Sequence, residues 1–213
     1  VIPDFRYALK HGIDAMICEA NSKKGEFYKA AAIALSGVKI LIERYIDLIN
    51  AQKKNCNEQR MKELILLENT LEKISKNGAE NLYEAIQLYI LLWEVMCLEQ
   101  APNPYAFSVG NADRIFEPYR GELTRDEAAE LFKHFLVFYN VGDRSWAISQ
   151  NVLVGGRDSE GKDLTNTMTY AIFDAYYDMN LPQPILSVKL HKNTPEKIYE
   201  EMGKFFFSPG VLT

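Results

Sequence analysis

The side chains of this 213-residue chain that could do chemistry are scattered. Cys18, Cys56 and Cys97 are odd in number and widely spaced. They form neither a disulfide framework nor a Cys-x-x-Cys metal site. Cys97 falls inside an apolar helical pattern and reads as a small core hydrophobe. His11, His134 and His191 stand far apart, with no His-Glu-x-x-His or paired Glu-x-x-His pattern. They read as surface or capping residues rather than metal ligands. Asp158-Ser159-Glu160-Gly161-Lys162-Asp163 is as oxygen-rich as a calcium loop but lacks the later bidentate Glu, so it reads as a solvated turn. There is no phosphate loop and no Gly-x-Ser-x-Gly elbow. Two features remain. Tyr105-Ala106-Phe107-Ser108-Val109-Gly110 is an aromatic-rich, non-helical stretch after a buried helix, either a loop that carries a site or an aromatic-packed connection. Trp146, beside Ser145, Ser149 and Gln150, either lines a pocket or covers a core edge.

The elements that must position these groups are mostly helical. Apolar spacing predicts helices over Pro3–Ala20 (weakened by Gly12), about Glu26–Gln52, about Glu58–Ser75 and about Leu82–Gln100, the last apolar all round. Asn77-Gly78 is a stop signal, and Pro102 and Pro104 end the fourth helix. Tyr105–Arg120 reads as irregular. Thr124-Arg125-Asp126-Glu127 is a capping box for a helix to about Tyr139. Asn140–Arg144 reads as a loop and Ser145–Val154 as extended. Thr165 is placed to cap a helix to Met179, and Ile185–His191 alternates as a strand. Thr194-Pro195 opens the last helix, with Pro195 at its first position. The fold class expected is α/β and helix-dominated. Residues 1–100 form the helical part; residues 101–213 carry the loop, strands and crossover helices of a mainly parallel sheet. Two or three strands are too few to close a barrel.

Bulk properties exclude some functions. A net charge of −5 gives no basic excess to displace counterions from nucleic acid. No apolar run reaches the roughly 18 residues that span a bilayer. Val-Ile-Pro-Asp-Phe-Arg is not a signal peptide, and the missing initiator Met marks a processed form or an excerpt. Reduced thiols in a cytoplasm are the expected state.

The most informative stretch is Gly155-Gly156-Arg157-Asp158-Ser159-Glu160-Gly161-Lys162-Asp163-Leu164-Thr165-Asn166. It reads physically as strand, hairpin-like turn and capped helix start. It also resembles a signature of the glycyl radical enzymes, the pyruvate formate-lyase and dehydratase superfamily. Other pieces resemble that family in order: Pro3-Asp4-Phe5 with Leu9-x-x-Gly12, Phe27-Tyr28-x-Ala30 leading to Arg44-Tyr45, and Leu82-Tyr83-Glu84-Ala85-Ile86-Gln87. Ser108-x-Gly110-x-x-Asp113, Gly121-x-Leu123-Thr124 and Gln183-Pro184-x-Leu186-Ser187 continue the series. The Gly-Gly region leans toward dehydratase or decarboxylase-type members. Two departures stand out. Asn111 occupies the Arg position of the family's Ser-x-Gly-Arg, and the His that commonly precedes the Pro-Asp segment would fall before Val1.

The resemblance implies a partial chain of a glycyl radical enzyme-type α/β barrel: the helical layer plus the first barrel strands. It implies an anaerobic, cytoplasmic lyase or dehydratase (formate acetyltransferase is another family activity) acting on a small polar organic substrate. The implied cofactor is a protein-derived glycyl radical outside this segment. The implied partners are a radical S-adenosylmethionine activating enzyme and a second copy in a homodimer. The catalytic Cys and the radical Gly lie beyond these residues, so no catalytic group is assigned here and activity of the chain alone is not expected. Tyr105, Phe107, Ser108, Trp146 and Gln150 become candidates for the substrate-pocket wall, where an apolar lining would exclude water from a radical. The competing expectation is a non-catalytic helical remnant or interaction module. Truncation further implies an exposed apolar sheet edge.

Overall fold

The computed structural model describes residues 2–100, 106–146 and 150–208; the side chains of 142–146 lie outside that description. Eight helices and three short strands are present among the described residues. They divide into two compact units: Arg6–Glu80, and Asn81 onward together with the first five residues. The helical part read from sequence ended near residue 100. By compactness α4 (Leu82–Glu99) goes with the later elements, because it packs on α5 (Ala112–Arg120) and α6 (Arg125–Trp146).

In the first unit, α1 (Phe5–Ser22) breaks at Gly12, where φ is 78° and ψ 171°. The chain beyond α3 (Glu58–Ile74) returns to that break, and the Ala79 N–H donates to the Leu9 carbonyl at 2.8 Å. α2 (Glu26–Lys53) packs against α3, with Ile42, Ile49, Leu64 and Leu71 buried. Asn57 caps α3 by accepting from Arg60 N at 2.8 Å. These helices match the spacing expectations to within a residue or two at each end.

The second unit is built on a three-stranded parallel sheet in the order β1 (Gly110–Asn111), β2 (Asn151–Gly155), β3 (Ile185–Lys189). The crossover from β2 to β3 contains α7 (Thr167–Met179), and α8 (Glu196–Phe207) follows β3. The sheet and helix content bear out the helix-dominated α/β reading. The core is aromatic: Tyr89 of α4, Phe116 of α5, and Phe132, Phe135 and Tyr139 of α6 are all fully buried, with ring centroids 4.6–6.1 Å apart.

Four local expectations are corrected. Residues 105–120 are not irregular throughout: β1 and α5 lie within them. Pro118 argues against a helix, but it sits in the last turn of α5, and burial of Ala112, Asp113, Ile115 and Phe116 outweighs the one lost backbone bond. α6 continues through the expected loop at Asn140–Arg144 and ends at Trp146, so the extended segment begins at Asn151. The Asn140 side chain donates to the Gln183 carbonyl at 2.9 Å instead of competing for its own backbone. Asn166, not Thr165, is the N-cap of α7. Pro195 occupies the cap of α8 rather than its first helical position.

The expected capping box at Thr124 is present: the Thr124 N–H and Oγ1 both lie 2.9 Å from a Glu127 carboxylate oxygen. β3 is terminal among the described strands, with Ile185 50% exposed, and Phe206 of α8 is 66% exposed. A groove of about 610 Å³ lies between α7, β3 and α8, lined by Phe173, Tyr176, Leu186, Val188, Met202 and Phe205.

Candidate functional site

Phe107, Ser108 and Gln150 lie at the N-terminal ends of the parallel strands. Register pairs Gly110 with Val152, and Ser108 and Gln150 each lie two residues before that pair. Asn151 pairs with Ile185, and the Ile185 N–H donates to the Gln150 carbonyl at 3.0 Å. Phe107 and Gln150 are buried, and Ser108 is half-buried. The segment that carries Phe107 is held from the core: the Tyr139 hydroxyl donates to the Phe107 carbonyl at 3.0 Å and is itself paired with the Tyr89 hydroxyl. Of the five wall candidates, Phe107 and Ser108 lie just before β1 and Gln150 just before β2. Trp146 ends α6 four positions before Gln150, with its side chain outside the described residues, and Tyr105 lies outside them altogether.

The opposite end of the sheet carries a second cluster, which fixes the Gly155–Asn166 stretch. Asp113, fully buried at the start of α5, accepts from the Gly155 N–H at 2.7 Å and the Thr169 hydroxyl at 2.8 Å. It also accepts from the Arg114 N–H at 2.8 Å. Burial pushes the Asp113 carboxyl above the usual carboxylate range, and these bonds only partly oppose it. Arg114 Nη2 donates to the Gly155 carbonyl at 2.6 Å. Glu117 caps α7 by accepting from Met168 N at 2.8 Å. Gly155 and Gly156 have φ of 73° and 94°. A Cβ at Gly156 would come within 2.9 Å of Arg114 Nη2 and 3.2 Å of Lys189 Cβ, so the second glycine is required by conformation and by space.

Beyond the glycines the stretch is a turn, as its residue types implied. The Asp158 side chain accepts from the N–H groups of Glu160 and Lys162, both at 2.9 Å. Asn166 and Thr169 form a reciprocal capping box. Asn166→Ala is expected to cost about 1 kcal/mol of stability, read as a lowered urea midpoint. The sequence reading had singled out Asp113 only through the family resemblance and had missed Thr169 and Arg114. The available signal was the Asn-x-x-Thr spacing at the start of α7.

The remaining reactive side chains have structural surroundings. Burial pushes the Cys97 thiol up to about 12, as suits a core hydrophobe. His191 Nε2 lies 3.0 Å from Asp163 Oδ1, tying the end of β3 to the turn. Among the described residues no cluster of His, Cys, Asp and Glu could hold a metal ion, and no helix is long and apolar enough to cross a membrane.

Comparison with known proteins places this architecture. The chain is 29% identical over 199 residues to trans-4-hydroxy-L-proline dehydratase of Clostridioides difficile, covering 84% of this chain and 25% of that protein. It is 26% identical over 194 residues to (2S)-3-sulfopropanediol dehydratase of Klebsiella oxytoca, covering 82% and 23%. It therefore spans about a quarter of the length of these relatives. Its fold superimposes on the glycerol-bound B12-independent glycerol dehydratase of Clostridium butyricum with a TM-score of 0.84 at 24% identity, over 94% of this chain and 29% of that one. A glycyl radical enzyme from Archaeoglobus fulgidus gives a TM-score of 0.83 at 23% identity, over 96% and 30%. The pyruvate formate lyase-like family model matches residues 1–212, and the chain belongs to that family of glycyl radical enzymes.

Proposed function

We propose that this chain is the part of an anaerobic glycyl radical lyase or dehydratase that supplies the first strands of the barrel and one wall of its substrate pocket. The substrate class is a small polar organic molecule. The observation that supports the reading is the placement of Phe107 and Ser108 just before β1 and of Gln150 just before β2, at one end of the parallel sheet. Ser108 and Gln150 bring hydroxyl and amide groups that can orient a polar substrate, and Phe107 brings an apolar surface that excludes water. The radical would be stored on a glycine outside these residues and loaded by a radical S-adenosylmethionine partner. It supplies the hydrogen abstraction, and the residues here bind and orient. Tyr105 and Trp146 belong to the same proposed wall. The open groove beside β3 fits a sheet that continues into further polypeptide.

The test uses the full-length protein with its radical installed and counted by electron paramagnetic resonance. Gln150→Ala and Ser108→Ala are expected to lower turnover about tenfold, a barrier change of about 1.4 kcal/mol, with radical yield retained and, for the half-buried Ser108, the thermal midpoint retained as well. Trp146→Ala should likewise reduce turnover more than stability. Unchanged turnover in all three variants would overturn the assignment. A neighbouring coding sequence without a Gly-Cys loop or a terminal radical glycine would favour a non-catalytic remnant instead.

A further inference from the structure

Two neighbouring residues of α6 reach out of the helix to the backbone that enters the sheet. The Tyr139 hydroxyl donates to the Phe107 carbonyl at 3.0 Å, three residues before β1. The Asn140 side chain donates to the Gln183 carbonyl at 2.9 Å, two residues before β3. β1 and β3 are the outer strands of the three, with β2 between them. Successive helical residues point about 100° apart, so one turn of α6 can serve both. The entry to β2 is tied to that of β3, because the Ile185 N–H donates to the Gln150 carbonyl at 3.0 Å. All three strand entries are therefore referred to a single turn of α6.

Packing alone does not call for these polar groups. Tyr139 is fully buried, its ring 4.6 Å from that of Phe135 and 4.7 Å from that of Trp93. A phenylalanine would make the same ring contacts without burying a hydroxyl, which costs free energy unless it is paired. Here the pairing has a direction. The one proton of the Tyr139 hydroxyl goes to the Phe107 carbonyl, so the bond with Tyr89 runs from the Tyr89 hydroxyl to the Tyr139 oxygen. Burial holds the Tyr89 phenol well above its usual range, which keeps that proton in place. Donors in such a chain polarise one another and strengthen its last bond, the one to Phe107. Asn140 is buried too, inside a helix where asparagine is a poor residue, and its amide is spent on a strand entry.

We propose that Tyr139 and Asn140 are positioning residues, which set where the segments entering β1 and β3 lie and so fix the backbone of Phe107 and Ser108 and, through Ile185, that of Gln150. The purpose of this positioning rests on the pocket-wall reading; the positioning itself does not. Neither side chain is assigned a contact with substrate.

Hydrogen exchange of the full-length protein, read peptide by peptide by mass spectrometry, separates the two anchors. Tyr139→Phe should speed exchange about tenfold over residues 106–111 and leave residues 183–189 unchanged. Asn140→Ala should do the reverse. Tyr89→Phe is the control: it takes a hydroxyl from the same buried chain but keeps the donor to Phe107, so residues 106–111 should speed up by less than about threefold. Peptides over α4 and the first turns of α6 report that each variant is folded. Unchanged exchange in both segments would overturn the proposal. So would equal acceleration of both segments in each variant, or a Tyr89→Phe effect as large as that of Tyr139→Phe. The turnover of Ser108→Ala and Gln150→Ala tests the wall separately, so slowed turnover beside unchanged exchange sinks the positioning alone, and the converse sinks the wall alone.

Discussion

Asp113→Ala is expected to destabilise the chain by about 3 kcal/mol, lowering the folding equilibrium more than a hundredfold. The substitution removes one carboxylate and strands three donors at once: the Gly155 and Arg114 N–H groups and the Thr169 hydroxyl. The Gly155 and Thr169 bonds join α5 to β2 and α7, so the loss is not confined to one element. Urea unfolding followed by circular dichroism measures it, and a loss below about 1 kcal/mol would show that the cluster is not what holds the joint. Thr169→Val, which removes one partner and keeps the volume, should cost about 1 kcal/mol.

The pH dependence of the same site has a defined sign. Burial raises the native pKa of Asp113 above its unfolded value, so the folded form holds its proton more tightly. Its contribution to stability is fully present below the unfolded pKa and declines as pH rises through the native one. Comparing the chain with Asp113→Asn at pH about 3 and about 7 should therefore show the balance moving toward the Asn variant as pH rises. A shift in the opposite direction would mean that the hydrogen bonds outweigh burial.

Gly12→Ala is expected to cost about 3 kcal/mol, measured the same way. Gly12 has φ of 78° and ψ of 171°, a region open essentially to glycine alone. There is also no room for a side chain. A Cβ would lie 2.3 Å from the Asn77 carbonyl carbon and 2.6 Å from both its oxygen and the Gly78 nitrogen. Gly78 faces the same constraint from the other side, with its Cβ position 2.3 Å from the Lys10 carbonyl oxygen. These neighbours are backbone, so no side-chain rotation relieves the contact. A tolerated Gly12→Ala would imply that α1 can straighten, against the Leu9–Ala79 hydrogen bond that pins the crossing.

How much of this was legible in the sequence depended on the range of the interactions involved. The apolar period of α2 and α3, the stop at Asn77-Gly78 and the capping box at Thr124 are set within a few residues, and they appeared as written. α5 was unreadable because Pro118 contradicts it locally, while Phe116 and Asp113 stabilise it through contacts with α4, β2 and α7. The length of α6 was misjudged for a similar reason: Asn140 and Gly142 look like a helix end until Asn140 is seen bound to Gln183. For the proposed pocket wall, sequence order names the residues, but only the parallel pairing of β1 with β2 brings the segments that precede them to one end of the sheet.

By itself, then, the sequence determined the family, the helical layer and the turn-and-cap nature of the Gly155–Asn166 stretch, because each is encoded in short-range spacing or in the order of motifs. The tertiary structure alone decided why that stretch needs its glycines and what anchors it. Asp113 and Arg114 come from α5 and Lys189 from β3, and no local rule brings them to the glycines at the end of β2. Packing does so, because Asp113 can be buried only where Gly155, Thr169 and Arg114 present their donors together.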